Sequence, residues 1–252
     1  MKKSSIKNNC IAALVMLALW RVLSFAYPPL VVPPIPSVGK MLARILSSPD
    51  LLQEAAKTLG RLAAGLFFGV ASGCIAGYAC GVCKTCRELC KPLLGVLQVV
   101  PPVALLVLAI IWFGFNGKPA VLIVAVAIFP IIAITVQDAV LHIDRKLLEM
   151  GTVFKYTKQQ RFFLITWPSV KPQFYSGLRI ALGTASKTVV MGEVLTTSSG
   201  IGGQIVNARL NIEPETIIAW TVVSVCMYYV LDAAVGMLFV PKGKNNAQRE
   251  QS

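Results

Sequence analysis

Six apolar stretches, at about 9–27, 55–82, 92–115, 119–138, 173–197 and 216–240, dominate this sequence. Each is near or above the roughly 20 residues a helix needs to cross a bilayer. Several are interrupted by Gly or Pro, which membrane helices tolerate because neighbouring groups satisfy the freed backbone. The composition agrees. Of 252 residues, 56% are hydrophobic and only 14% are charged, and the mean hydropathy is +0.69. A soluble domain of this size needs far more charged surface. The expected fold class is all-α, a polytopic membrane protein with about six transmembrane helices.

The formal net charge of +13 invites a nucleic-acid reading, but the basic residues follow the positive-inside pattern instead. With a cytoplasmic N-terminus, the inner segments hold Lys2, Lys3, Lys7, Lys84, Arg87, Lys91, Arg145, Lys146, Lys155, Lys158, Arg161, Lys171, Lys242, Lys244 and Arg249. The outer segments hold Lys40, Arg44, Lys57, Arg61, Lys118 and Arg209. This asymmetry predicts six spans with both termini inside and no nucleic-acid partner. Met1-Lys2-Lys3 before IAALVMLALW also resembles a signal peptide, with Ser24-Phe25-Ala26 as its cleavage site. Cleavage there would remove the first span and leave the orientation of the others unchanged.

The connectors divide the chain into residues 1–36, a first span with a Pro-rich outer connector YPPLVVPPIP, and 37–252, a core of five further spans. Ser37 is placed to cap a short amphipathic helix with Val38, Leu42 and Ile45 on one face, lying on the membrane surface. NGKP, at 116–119, is a tight outer turn. No internal repeat is present, against the duplicated halves of many secondary transporters. The long inner segment 138–172 is polar, basic and helix-forming, more than a passive connector needs. Asp144 can cap a helix through Met150, and Gly151 either breaks it or admits another backbone. A second amphipathic piece runs from Thr157 to Trp167, with Pro168 as its stop. Either these are two surface helices, or they dock a cytoplasmic partner.

Within this segment Glu149, Ile165 and Trp167-Pro168 resemble the cytoplasmic E-A-A-x3-G-x9-I-x-L-P motif of permeases from binding-protein-dependent ABC importers. IPSVGKML, LGRLAAGLFFGVASG, VVPPVALLVLAIIWFG and GLRIALG…GEVL followed by SSGIGGQI resemble the nitrate/sulfonate/taurine-type branch. The resemblance covers roughly residues 33–240. It implies a type I importer permease fold, a permease dimer, a cytoplasmic ABC ATPase dimer bound through short coupling helices, and an extracytoplasmic substrate-binding protein. It also implies a small organic or inorganic anion, sulfonate-, nitrate- or taurine-like, as substrate, and the bacterial inner membrane as location. The ATPase-docking residues carried over are Glu149, Met150, Gly151, Phe154 and Lys155. Met150 and Gly151 stand where the motif has two Ala, Lys155 where it has Gly, and Trp167 where it has Leu.

The chain has no G-x4-G-K-[ST] loop to cradle phosphates, so ATP and Mg would be bound by the partner ATPase, with no cofactor here. His142 is the single His, and no Ser/His/Asp set or carboxylate pair suggests an enzyme. A stand-alone channel or secondary transporter is the alternative transport class.

Ionisable residues inside spans are functional candidates. In the fifth span Arg179, Gly183, Ser186, Val190 and Glu193 recur at 4-3-4-3 spacing, forming one small, polar face suited to a water-filled path. Arg179 and Glu193 stand about 21 Å apart, too far to pair. The resembling family has similar residues at both, which implies a structural or gating role. Lys187 replaces the family's usual apolar residue and lies about 80° round the helix from Arg179. Either it pairs or snorkels, with Asp232 as its partner, or it offers a positive site to an anionic substrate. Pro101 and Pro102 are expected to kink the third span into part of a gate. Those six positions, with Gly183 and Val190 excepted (Pro101, Pro102, Arg179, Ser186, Lys187, Glu193), are the candidate path.

One motif stands apart: Cys80, Cys83, Cys86 and Cys90 form C-x2-C-x2-C-x3-C, with Pro92 two positions on. Iron–sulfur runs have nearly this spacing, so a membrane redox subunit is a third class. A helix end does not obviously enclose a cluster, however, and a reducing compartment disfavours stable disulfides. No metal site is expected. Cys10, Cys74 and Cys226 read as small hydrophobes.

Overall fold

The computed structural model describes residues 2–239, and every regular element among them is helical. Lys242, Lys244 and Arg249, part of the charge argument for an inner C-terminus, lie outside the described residues. In chain order the helices are α1 (Lys2–Ala26), α2 (Ile35–Ser47), α3 (Pro49–Val82), α4 (Lys84–Val99), α5 (Pro102–Phe113), α6 (Lys118–Leu141), α7 (Arg145–Val153), α8 (Lys158–Arg161), α9 (Trp167–Thr196), α10 (Gly200–Leu210) and α11 (Pro214–Phe239).

The centre of the fold is a parallel pair, α3 beside α6. Gly65, Gly69, Gly73, Gly77 and Gly81 recur every fourth residue and so form a stripe along α3. Val124, Ile128, Ile132, Val136 and Val140 recur with the same period on α6 and press into that stripe. A Cβ at Gly65 would lie 2.6 Å from Val124 Cβ, and one at Gly81 2.6 Å from Val140 Cβ. Without glycine the two backbones could not approach so closely, which is how membrane helices gain packing energy where lipid removes the hydrophobic drive. α9 lies antiparallel on α6: Gly177 faces Thr135 and Gly192 faces Ala120. Those fifteen residues carry α9 across about 22 Å of depth, although Lys171, Arg179, Lys187 and Glu193 make it less apolar than its neighbours.

Judged by length and hydropathy, α3, α6 and most of α11 are long and apolar enough to cross a membrane singly. The expected third span is instead two helices bent by 94°. Pro101-Pro102 does more than kink it. Each proline drives its predecessor out of the helical region, so Val100 (ψ 124°) and Pro101 (ψ 128°) are both extended and the helix stops. Legs of about 24 and 18 Å at a right angle still reach about 30 Å, enough to return the chain to the start of α6.

α2 has its apolar face where the spacing placed it, with Val38 and Ile45 buried. That face packs against Ala219 and Trp220 of α11 and Ile201, rather than resting only on the membrane surface. Ser37 is not its cap: the helix starts at Ile35, after an extended Pro34. Asn116 ends the NGKP turn by accepting the Lys118 N–H at 2.8 Å.

Candidate functional site

Beyond α6 the chain turns into α7, capped as expected by Asp144, whose side chain accepts the Lys146 N–H at 2.9 Å. Gly151 neither breaks this helix nor meets a backbone. It is buried inside α7, and a Cβ there would lie 2.7 Å from Ile165 Cδ1. Gly151 and Ile165, two positions of the motif, therefore lock α7 onto the following helix. The end of α7 is a Schellman turn: Tyr156 N–H reaches Gly151 O at 2.9 Å and Lys155 N–H reaches Thr152 O at 3.0 Å. Lys155 sits at the left-handed position of that turn, with φ +52°. Glycine is the usual residue there because it lacks the Cβ clash, which explains why the motif has Gly at this position.

Past the turn, Thr157 and Gln160 form a capping box. The helix then runs through a π-turn (Phe162–Thr166) straight into α9. Pro168 is not a stop. It occupies the first turn of α9, where the π-turn absorbs its missing N–H. On α7 and the turn that ends it, the side chains of Met150, Val153 and Phe154 are exposed, as are Glu149 and Lys155. An apolar patch rimmed by charge, rigidly fixed to two spans, is suited to receive a partner.

The polar face expected along α9 is divided between two places. At the carboxyl-terminal end Glu193 is fully buried. Its carboxylate accepts Thr58 Oγ at 2.8 Å, Arg61 Nη1 at 2.5 Å and the Gly202 N–H at 3.0 Å. Arg61 also donates to Ser199 O and Oγ, at 3.0 and 2.7 Å. Thr58 accepts the Ile201 N–H at 2.8 Å, and Glu54 accepts the Gly200 N–H at 2.5 Å. The amino end of α10 is thus an anion cradle filled by the chain's own carboxylates. Gly200, at φ +86°, must be glycine here, since a Cβ would strike the Glu193 carboxylate. Glu54, Thr58, Arg61, Ser199 and Gly202 were not among the expected site residues. The Gly-rich SSGIGG segment opening a helix was the available signal.

Near the middle of α9 Arg179 forms a bidentate pair with Asp232 of α11, at 2.6 and 2.5 Å. Asp232 is therefore not the partner of Lys187. Among the described residues Lys187 makes no hydrogen bond or ion pair. It projects into two adjoining clefts between α9 and α11 of ≈ 460 and ≈ 490 Å³, which share Gly183, Lys187 and Tyr228. Arg179, Ser176 and Thr184 complete the first, Ser224 and Thr221 the polar part of the second. Ser186 borders the second cleft, though its hydroxyl is donated to Leu182 O at 2.9 Å. Pro101 lines a separate apolar hollow under the α4–α5 bend, and Pro102 opens α5. The six expected path residues therefore occupy three places rather than one wall.

Comparison with known proteins accords with this arrangement. Residues 65–240 match the model of the binding-protein-dependent transport system inner membrane component family. SsuC of Escherichia coli (strain K12), whose name assigns it to aliphatic sulfonates transport, is 30% identical over 77% of this chain and 78% of its own length. The taurine transport system permease protein TauC of the same strain is 26% identical over 83% and 78%. Among solved structures, a chain of the MetNI methionine ABC transporter has a TM-score of 0.66 at 19% identity, covering 76% of this chain and 97% of that one. A chain of a bacterial ABC transporter for alginate has 0.66 at 15%, covering 94% and 96%. The chain belongs to the family of inner membrane components of binding-protein-dependent transport systems, and it is a permease subunit of an ABC importer.

Proposed function

We propose that this permease carries a small anion of the sulfonate or taurine class past the α9–α11 clefts. The observation that carries the reading is Lys187, an unpaired cation facing a cleft that already contains Arg179 and hydroxyl groups. An unpaired lysine at mid-membrane costs about 2.5–3.5 kcal/mol on insertion scales, so a compensating anion in the path gives it a role. The names of the sulfonate and taurine relatives point to the same chemistry.

The complex on this reading is a permease homodimer with both termini cytoplasmic. A cytoplasmic ABC ATPase dimer docks on α7 through Glu149, Met150, Phe154 and Lys155, with Gly151 buried behind them. An extracytoplasmic binding protein delivers substrate to the side of Glu193. ATP and Mg belong to the ATPase. Residues 1–36 form a first span and connector attached to a core of 37–252.

Lys187→Met tests the path. A charge-assisted hydrogen bond contributes about 1.5–3 kcal/mol, so uptake at limiting substrate should fall about ten- to a hundredfold. Assembly and basal ATP hydrolysis should persist. Unchanged uptake by a well-folded variant complex would remove Lys187 from the path and leave the anion class resting on the relatives' names alone.

A further inference from the structure

The cysteine run that transport leaves unexplained has a specific geometry. Cys83 is the joint between α3 and α4: it closes the first helix and caps the second, with an extended backbone at φ −106°, ψ 118°. Its sulfur is exposed and accepts the N–H of Cys86 at 3.4 Å. Cys86 lies one turn into α4 and is partly exposed. A first cysteine at a helix start with a second three residues on is the arrangement that makes C-x-x-C pairs redox-active, because the helix terminus stabilises the thiolate. The donated N–H holds the Cys83 thiol below its ordinary range. Arg87 keeps a positive charge at the joint, its guanidinium donating to Cys80 O and Gly81 O, each at 2.9 Å. Cys80, by contrast, is buried, with its thiol directed to the Cys86 carbonyl at 3.7 Å. Among the described residues no three or more Cys, His, Asp or Glu are arranged to hold a metal ion.

The geometry points to a redox-active dithiol at the α3–α4 joint, with Cys83 as the reacting thiol, Cys86 as the resolving thiol and a hydroperoxide as oxidant. The Cys83 thiolate attacks a peroxide oxygen, the O–O bond breaks, and Cys83 becomes a sulfenic acid as hydroxide leaves and takes a proton. The Cys86 thiolate then attacks the Cys83 sulfur, the S–S bond forms, the S–O bond breaks and water leaves. Two thiols lose two electrons and two protons, and one hydrogen peroxide becomes two waters. A small dithiol reverses the change by exchange. Closure replaces an N–H···S cap with a covalent link and fixes the joint where Gly81 packs on Val140, shortly before α6 gives way to α7. Disulfides of this kind in a reducing compartment are transient and sensing rather than structural.

The test uses the purified full-length chain in detergent, reduced, freed of reductant and given stoichiometric hydrogen peroxide. Peptide mass mapping should find Cys83 joined to Cys86, about two mass units lighter than the dithiol and restored by a small dithiol. Cys86→Ser should stop at the sulfenic acid, captured on Cys83 by dimedone. Cys83→Ser should leave Cys86 a thiol, and both variants should elute as the wild type does. The assignment is overturned by a bridge mapping to Cys80 and Cys90, by equal oxidation of Cys86 in Cys83→Ser, or by a purified metal that blocks alkylation of the run. Persistent sulfenic acid on wild-type Cys83 overturns it as well. None of these readouts depends on the transported substrate.

Discussion

Gly73→Ala and Gly60→Ala add the same methyl group to the same helix, and the structure predicts opposite outcomes. Both lie inside α3. At Gly60 nothing stands within 4 Å of the new Cβ, whereas at Gly73 it would meet Ile132 Cβ at 2.8 Å, Ile132 Cγ2 at 3.0 Å and the Phe129 carbonyl oxygen at 3.0 Å. Alanine is favoured over glycine in a helix interior by about 0.5–1 kcal/mol, and that gain applies at both sites. At Gly73 it is opposed by overpacking, which costs about 1–3 kcal/mol. Ile132 is fully buried and β-branched, so its Cβ cannot rotate away, and the Phe129 oxygen is backbone. Relief therefore requires α3 and α6 to separate. The two variants should differ by about 1–3 kcal/mol, Gly60→Ala neutral to stabilising and Gly73→Ala destabilising. Reversible unfolding of the purified protein in mixed micelles, at matched lipid-to-detergent ratio, measures the difference. Equal stabilities, or a more stable Gly73→Ala, would refute the parallel glycine-to-β-branched seam.

Lys155→Gly should stabilise α7, because a left-handed L-residue costs about 1–2 kcal/mol and glycine returns part of that as chain entropy. A net gain of about 0.7–1 kcal/mol slows exchange of the α7 amides roughly three- to fivefold, and unchanged exchange would deny the strain. Glu149→Arg reverses a charge on the exposed face of α7, so both co-purification of the ATPase and uptake should drop. Wild-type levels of both would place docking elsewhere.

What could be read in the sequence follows from the range of the interactions. Apolar runs other than the third, the Asp144 cap and the Asn116 turn are local, and each forms the element its residues placed there. The Pro101-Pro102 effect is local too, but its size depends on both residues before proline being driven extended, which ends the helix instead of bending it. The five glycines at fourfold spacing are visible in the sequence as a small face; what presses on that face is not, because Val124 to Val140 belong to another helix. Glu193 is the strongest case. Its partners Thr58 and Arg61 are 135 and 132 residues away. Arg61 counted as an outer charge by the positive-inside pattern, and that placement is compatible with its position beside Glu193 while saying nothing of the pair. Lys155 illustrates the converse. Its departure from the motif is evident in one dimension, and its consequence is a backbone angle.

The three ionisable residues toward and beyond the middle of α9 differ in how much freedom the fold leaves them. Glu193 is fully buried and is tied to α3 through Arg61, whose side chain is 16% exposed, and to α10 through the Gly202 N–H. Removing one partner of such a buried pair strands the other charge, at a cost of about 3–5 kcal/mol, so this end has no inexpensive alternative arrangement. Arg179 is tied to α11 by Asp232, but its side chain is 49% exposed. That pair is less enclosed than the one at Glu193 and is freer to open and close. Lys187 lies between them with a cleft in place of a partner. α9, packed on α6 along its length, is therefore pinned to α3 and α10 at one end by a buried charge and to α11 near its middle by a more accessible one. On the path proposed above, an anion beside Lys187 would attract Arg179, eight residues and about 12 Å away along the helix, and so oppose its pairing with Asp232. Substrate charge would thereby weaken the contact between α9 and α11 on the helix that continues, through the π-turn, toward α7.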